Sequence, residues 1–130
     1  KNAYDCLQAA SCMIKPGTMY RNLGNVIHKK AQEAGYQVVK TYCGHGIGTI
    51  YHEEPQVLHY GKSGSGIQLK EGMCFTIEPM INQGTKFSKI LSDGWTVETR
   101  DGRNSAQWEH TIAVTKDGSE ILTKRNEEFQ

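Results

Sequence analysis

Two histidines and two glutamates supply the residue types from which a metal site could be built. His45 lies between two glycines, and His52 follows it seven residues later. Glu78 and Glu109 each lie in a stretch rich in β-branched and aromatic residues. A nitrogen ligand with several carboxylate oxygens suits a borderline or hard divalent ion such as Mn, Fe, Co or Zn. The residues therefore indicate a His/Glu metal site.

Each of these residues also has a simpler interpretation. A single strand glutamate usually lies on a solvated sheet face, and a lone histidine is usually a hydrogen-bonded structural residue. An ionised carboxylate inside a sheet is costly unless positive charge compensates it. The occurrence of two such glutamates weakens the simpler interpretation, but the solvated sheet face and the metal site both remain open. Glu53 and Glu54, beside His52, are expected to be solvated charges, and His28 and His59 to be surface or packing residues.

The elements that position these residues are two helices followed by several strands. Apolar spacing predicts one helix over residues 2–14, and a second that Thr18 caps and Gly35 ends. Strand composition predicts strands at 36–42, 74–81, 95–99, 107–115 and 120–123, with a loop at 61–66 and another, allowing short extended pieces, at 43–55. Because helices and strands are segregated, the predicted class is α+β.

Strand alternation predicts which side chains share a face with each glutamate. Glu78 should lie on the same face as Thr76, and Glu109 on the same face as Thr111 and Gln107. Apolar residues such as Ile77 fall on the opposite faces. Each apolar strand is therefore expected to present one carboxylate.

Composition excludes several classes of partner. The 130 residues carry a formal charge of +1, which gives no electrostatic case for nucleic acid or an anionic membrane surface. No apolar run approaches the roughly 20 residues of a membrane span. The four cysteines match no zinc-finger spacing, so free thiols in a reducing cytosol are expected. Lys1 leads directly into a predicted helix, which suggests a cleaved or truncated chain.

Four segments resemble one known family, type I methionine aminopeptidases, in the bacterial or organellar branch. They read YCGHGIGTIYHEEPQVLHY, GMCFTIEPMI, DGWTV and SAQWEHTIAVT, and the resemblance runs over residues 2–123. It implies the pita-bread fold, in which two pseudo-symmetric halves enclose two divalent metal ions. Residues 1–130 would form the C-terminal half of that catalytic domain.

The resemblance implies three metal ligands in this chain. His45, Glu78 and Glu109 match the family's ligand motifs, and Glu109 would bridge both ions. Glu78 would also shuttle a proton. The family's two aspartate ligands lie upstream and have no counterpart among the four aspartates here. The chain alone is therefore expected to be inactive without the missing N-terminal half.

The resemblance also implies residues that contact substrate. His52 would bind the peptide and stabilise the transition state, while Tyr51 and Trp95 would line the pocket for the methionine side chain. Gln107 would lie just outside the metal ligands, near the water that the metals hold. A core role would explain the two aromatic residues equally well.

The implied activity is removal of the N-terminal methionine of nascent proteins in the cytoplasm. The alternative is a non-catalytic pita-bread module that binds other proteins. Such modules usually lose metal ligands, whereas His45, Glu78, Glu109 and His52 are all present.

Overall fold

Two helices pack against one another at the start of the chain. The computed structural model describes residues 1–129, beginning with α1 (Asn2–Ser11) and α2 (Arg21–Glu33). Their apolar residues recur three or four positions apart, so each helix buries one stripe. Leu7 of α1 and Ile27 of α2 are fully buried. Neither helix has the length and apolar character of a membrane span.

Short strands make up the rest of the described fold. In chain order they are β1 (Gln37–Val38), β2 (Gly44–Gly46), β3 (Glu53–Val57), β4 (Cys74–Ile77), β5 (Met80–Asn82), β6 (Ser88–Ile90), β7 (Val97–Thr99), β8 (Ser105–Gln107), β9 (His110–Val114) and β10 (Ser119–Ile121), followed by a 3₁₀ helix at Asn126–Phe129.

Within residues 1–129 all strand pairs are antiparallel, and they form three sheets. The largest has the order β10-β9-β4-β2-β3, a smaller one has the order β1-β5-β8, and β6 and β7 form a separate hairpin. Phe75 of β4 and Ile112 of β9 are paired and buried, and they belong to the same core as the helices. The predicted α+β class is confirmed.

Two predicted strands are each interrupted. The predicted strand at 74–81 divides into β4 and β5, whereas the predicted strand at 107–115 contains β9 and only Gln107 of β8. The same two chain segments are paired in both sheets. Ile77 pairs with His110 in the five-stranded sheet, and Met80 pairs with Gln107 in the three-stranded sheet. Glu78 and Glu109 lie in the two interruptions, so their predicted placement within strands is wrong.

Several predicted boundaries also need correction. The first helix ends at Ser11, because the chain turns at Cys12 before it reaches Pro16. Thr18 does not cap α2: Tyr20 is the N-cap residue, and the Thr18 hydroxyl donates to the Met13 carbonyl.

The strand predictions erred in length more than in position. The strand expected at 36–42 is only β1, because the chain leaves the sheet edge after Val39, whose N–H still bonds the Met80 carbonyl. The region 43–55 contains β2 and the start of β3, which are the short extended pieces that the loop prediction allowed. β6 was not predicted, whereas β7 and β10 lie close to their predicted positions.

Candidate metal centre

Three side chains from three neighbouring strands converge at one point. His45 lies in β2, Glu78 follows β4 and Glu109 precedes β9. Among residues 1–129, these three form a group whose nitrogen and oxygen donor atoms lie within 4.8 Å of one another. The β9-β4-β2 order of the sheet places the three strands side by side. The structure therefore brings together the three predicted ligands.

The ring of His45 is oriented by its own strand. Its Nδ1 lies 2.9 Å from the Gly46 carbonyl oxygen, which can only accept a hydrogen bond, so Nδ1 carries the proton. Nε2 consequently presents its lone pair, and it lies 3.6 Å from Oε1 of Glu78. A metal-binding histidine is commonly oriented by a hydrogen bond from the ring nitrogen that does not bind the metal.

The glycines on either side of His45 allow neighbouring strands to approach closely. A side chain on Gly44 would collide with the Thr76 carbonyl, and one on Gly46 would collide with the Glu54 carbonyl. Neither glycine has a positive φ, so close approach is their role. The β2–β3 register also shifts between His45 and Gly46.

Glu78 is enclosed by polar partners. The Thr76 hydroxyl donates to its Oε1 at 2.9 Å, and Nε2 of Gln107 lies 3.2 Å from its Oε2. Burial raises the pKa of Glu78, the charge of Glu109 raises it further, and the bonds from Thr76 and Gln107 and the nearby His45 partly oppose that rise. The predicted shared face of Thr76 and Glu78 and the placement of Gln107 beside the site are confirmed.

His52 and Tyr51 lie beside His45 on an exposed loop. The ring centroid of His52 is 4.3 Å from that of His45, and the Tyr51 centroid is 5.6 Å from it. Tyr51 is 64% exposed, so the core alternative for this residue is wrong. Both side chains are free to contact a molecule that enters next to His45.

Trp95 lies on the hairpin formed by β6 and β7. It is 87% exposed in the turn between β6 and β7, and it lines a groove of about 690 Å³ together with Tyr42, Met80 and Ile90. Asp93 holds this turn by accepting the N–H groups of Trp95 and Thr96. Trp95 is therefore not a core residue.

A C-terminal segment anchors the strand next to Glu109. His110 is buried, with Nδ1 3.1 Å from the Thr123 hydroxyl and Nε2 3.0 Å from Oε2 of Glu128. The Glu128 side chain is itself only 3% exposed. The 3₁₀ helix thus reaches back to the residue that follows Glu109.

His59 is buried, as the packing alternative of its prediction requires, and it also makes a hydrogen bond that the sequence did not reveal. It is 1% exposed, burial lowers its pKa to about 4, and its Nε2 accepts the backbone N–H of Glu78 at 3.1 Å. The contact spans 19 positions of sequence, so local spacing gave no sign of it. Glu53 and Glu54 are exposed as predicted, and all four cysteines are free.

The donor set fits a divalent cation. Ligand atoms that each lie about 2.1 Å from one ion are separated by about 3 to 4 Å, close to the 3.6 Å between His45 and Glu78. That distance is too long for a hydrogen bond. Two carboxylates that face each other also call for positive charge between them.

Comparisons with known proteins agree with this geometry. Residues 1–116 match metallopeptidase family M24. "Methionine aminopeptidase 1" of Dictyostelium discoideum is 54% identical over 96% of the chain, and "Methionine aminopeptidase" of Escherichia coli K12 is 52% identical over 95%. The two identities are nearly equal, so the bacterial-type branch stays a prediction.

Solved structures give the same result. The crystal structure of methionine aminopeptidase from Rickettsia prowazekii covers 94% of this chain with a TM-score of 0.91 and 48% identity. This confirms the pita-bread fold and the resemblance to methionine aminopeptidases. The chain spans 34% and 47% of its two curated relatives and 50% of the solved structure. By fold, site and sequence, the chain belongs to metallopeptidase family M24.

Proposed function

We propose that this chain forms the C-terminal half of the catalytic domain of a methionine aminopeptidase, which removes the N-terminal methionine of nascent proteins in the cytoplasm. The observation that carries the proposal is the convergence of His45, Glu78 and Glu109, in a chain 52% to 54% identical to methionine aminopeptidases. A non-catalytic binding module has no use for such a donor set.

The three side chains would hold two divalent ions together with ligands from the other half of the domain. Co, Mn, Fe and Zn all suit imidazole and carboxylate donors. Glu109, an exposed residue, would contribute its carboxylate to both ions, as the resemblance to the family implies. When bound, such ions lower the pKa of water and polarise a carbonyl group.

The remaining side chains would bind the peptide and move a proton. Glu78 has a raised pKa, which suits a carboxylate that accepts a proton from water and passes it to the leaving amine. His52 would donate a hydrogen bond to the oxygen on which negative charge develops. Tyr51 and Trp95 would contact the methionine side chain through their exposed rings.

The other half of the domain is the required partner. Several apolar side chains are exposed, including Ile50, Ile90 and Trp95. They would be buried by the other half of the domain or would contact substrate when that half is present. An apolar surface left bare favours self-association. The isolated chain should therefore associate, bind about one metal ion at best and be inactive.

The test measures methionine release from a Met-Ala-Ser peptide. The chain is assayed alone and after co-expression with the N-terminal segment of the domain, and metal content is measured in both samples. We expect release only in the co-expressed assembly, and its loss when Glu109→Gln is introduced there. Turnover by the chain alone with two ions bound would contradict the proposed half-domain, and no turnover by a folded, metal-loaded assembly would contradict the proposed activity.

A further inference from the structure

The backbone of Glu78 is held by side chains on both sides. Glu78 lies in the interruption between β4 and β5, where its N–H donates to Nε2 of His59 at 3.1 Å. Its carbonyl oxygen lies 3.4 Å from Nε2 of Gln107. The direction in which the Glu78 carboxylate points therefore depends on these two side chains as well as on the sheet.

His59 takes up this hydrogen bond at a cost. Because Nε2 accepts, the neutral ring carries its proton on Nδ1, and that N–H is buried without a hydrogen-bond partner in the described part of the chain. A buried unpaired donor is unfavourable. A leucine would fill a similar space without an orphaned N–H, so packing alone does not account for a histidine here.

The segment that carries His59 is itself fixed by α2. Gly24 faces the backbone of residues 58–60, and a side chain at this position would collide with the carbonyl groups of Leu58 and Tyr60. The helix thus presses directly on the peptide groups on both sides of His59. This contact leaves little freedom for the imidazole to move away from Glu78.

We propose that His59 is a positioning residue for the metal site: pinned by α2 at Gly24, it accepts the Glu78 N–H and thereby aims the Glu78 carboxylate at His45 and Glu109. The proposal rests on the proposed function only in assuming that these three residues bind metal. His59 itself need touch neither metal nor substrate.

The test compares two variants in the full-length protein. His59→Leu removes the acceptor, whereas His59→Gln offers a carbonyl oxygen at a similar reach. Binding of Co²⁺ is followed by its visible absorption and by calorimetry, and turnover of Met-Ala-Ser is followed as kcat and KM. His28→Leu, a half-buried histidine of α2, is the matched control.

We expect His59→Leu to weaken Co²⁺ binding and lower kcat by about 10- to 100-fold, as loss of a group that orients a metal ligand typically does. KM should change little, His59→Gln should recover most of the loss, and His28→Leu should behave as the unaltered protein. Unchanged Co²⁺ affinity in a folded His59→Leu variant, or equal losses in the Leu and Gln variants, would overturn the proposal.

Nitrogen-15 NMR of the unaltered protein tests the same contact without depending on the folding of a variant. We expect the His59 ring to carry its proton on Nδ1 and to show coupling between Nε2 and the Glu78 amide. A proton found on Nε2 would overturn the proposal. Metal binding and the tautomer are measured separately from hydrolysis. If the His59 variants change Co²⁺ binding as expected but the unaltered protein releases no methionine, the aminopeptidase assignment is contradicted and the role of His59 is not.

Discussion

Glu78 and Glu109 face each other across two strands that are interrupted at the same point. The register runs unchanged from the Ile77–His110 pair to the Met80–Gln107 pair, which makes the two glutamates direct partners. Directly opposed residues of antiparallel strands share a face, and like charges there are destabilising. The structure thus sets two carboxylates against each other where a cation would relieve their repulsion.

Removing one member of this pair should change metal stoichiometry. We expect Glu109→Ala in the full-length protein to lower bound metal from two ions to one at most, because the proposed bridge is lost. Elemental analysis after dialysis measures the content, and Glu53→Ala provides an exposed acidic control. Two ions and near-normal turnover in Glu109→Ala would show that Glu109 is not a ligand.

His52 should affect rate without affecting metal content. We expect His52→Ala to lower kcat by about 10²- to 10³-fold, the typical loss for one donor to a developing oxyanion. Steady-state kinetics and elemental analysis of the same sample are the measurements. Loss of metal together with activity would mean that His52 is a ligand, in spite of its exposed position.

Trp95 should affect substrate binding without affecting stability. Since its side chain is 87% exposed, Trp95→Ala should change the free energy of unfolding by less than about 0.5 kcal/mol. Loss of the proposed contact with the methionine side chain should lower kcat/KM by at least about 10-fold. Urea unfolding measures the stability, and kinetics on Met-Ala-Ser measure kcat/KM. Unchanged kinetics would show that Trp95 does not line the pocket for the methionine side chain.

The turn that carries Trp95 should depend on the charge of Asp93. The hydroxyl of Thr96 and the backbone N–H groups of Trp95 and Thr96 lower the pKa of Asp93. The turn is therefore stabilised above the ordinary pKa of 3.8 and should loosen as pH falls through the lowered folded value. We expect Asp93→Ala to loosen it at neutral pH, seen as faster amide hydrogen exchange at Trp95 and Thr96 with no change at Phe75.

Cys6 should reduce stability at high pH. Burial raises the pKa of its thiol from 9.0 to about 11, so between these values the unfolded chain has lost a proton that the folded chain retains. The free energy of unfolding should then fall as pH rises from 9 to 11, by at most about 3 kcal/mol. Urea unfolding of Cys6→Ala across this range should show a shallower fall, whereas the exposed Cys12→Ala should match the unaltered protein.

Residue alternation predicted part of the site because it depends only on local geometry. Thr76 and Glu78 share a face as expected, since positions two apart in extended chain point the same way. The interruption at Glu78 was missed because apolar residues continue on both sides of it. Pro79 was the available signal, since proline lacks an N–H and restricts the residue before it.

Contacts made by folding could not be predicted in this way. His59 reaches Glu78 because the 58–60 segment is pressed between α2 and the strands, and no spacing in the sequence encodes that arrangement. Trp95 has the apolar character of a core residue yet lies on the surface. The exposure of the Trp95 side chain depends on which elements pack together in the whole fold.

The hydrogen bonds that His110 shares with Thr123 and Glu128 affect how the protein should be handled. The 3₁₀ helix at Asn126–Phe129 is thus held, through Glu128, to the residue next to a proposed metal ligand. An affinity tag fused directly after this turn, or proteolytic trimming back to Lys124, would leave a buried imidazole without its carboxylate partner. Damage that looks remote in sequence would thus reach Glu109, and purified material should be checked by mass at this end before low metal content is assigned to the site itself.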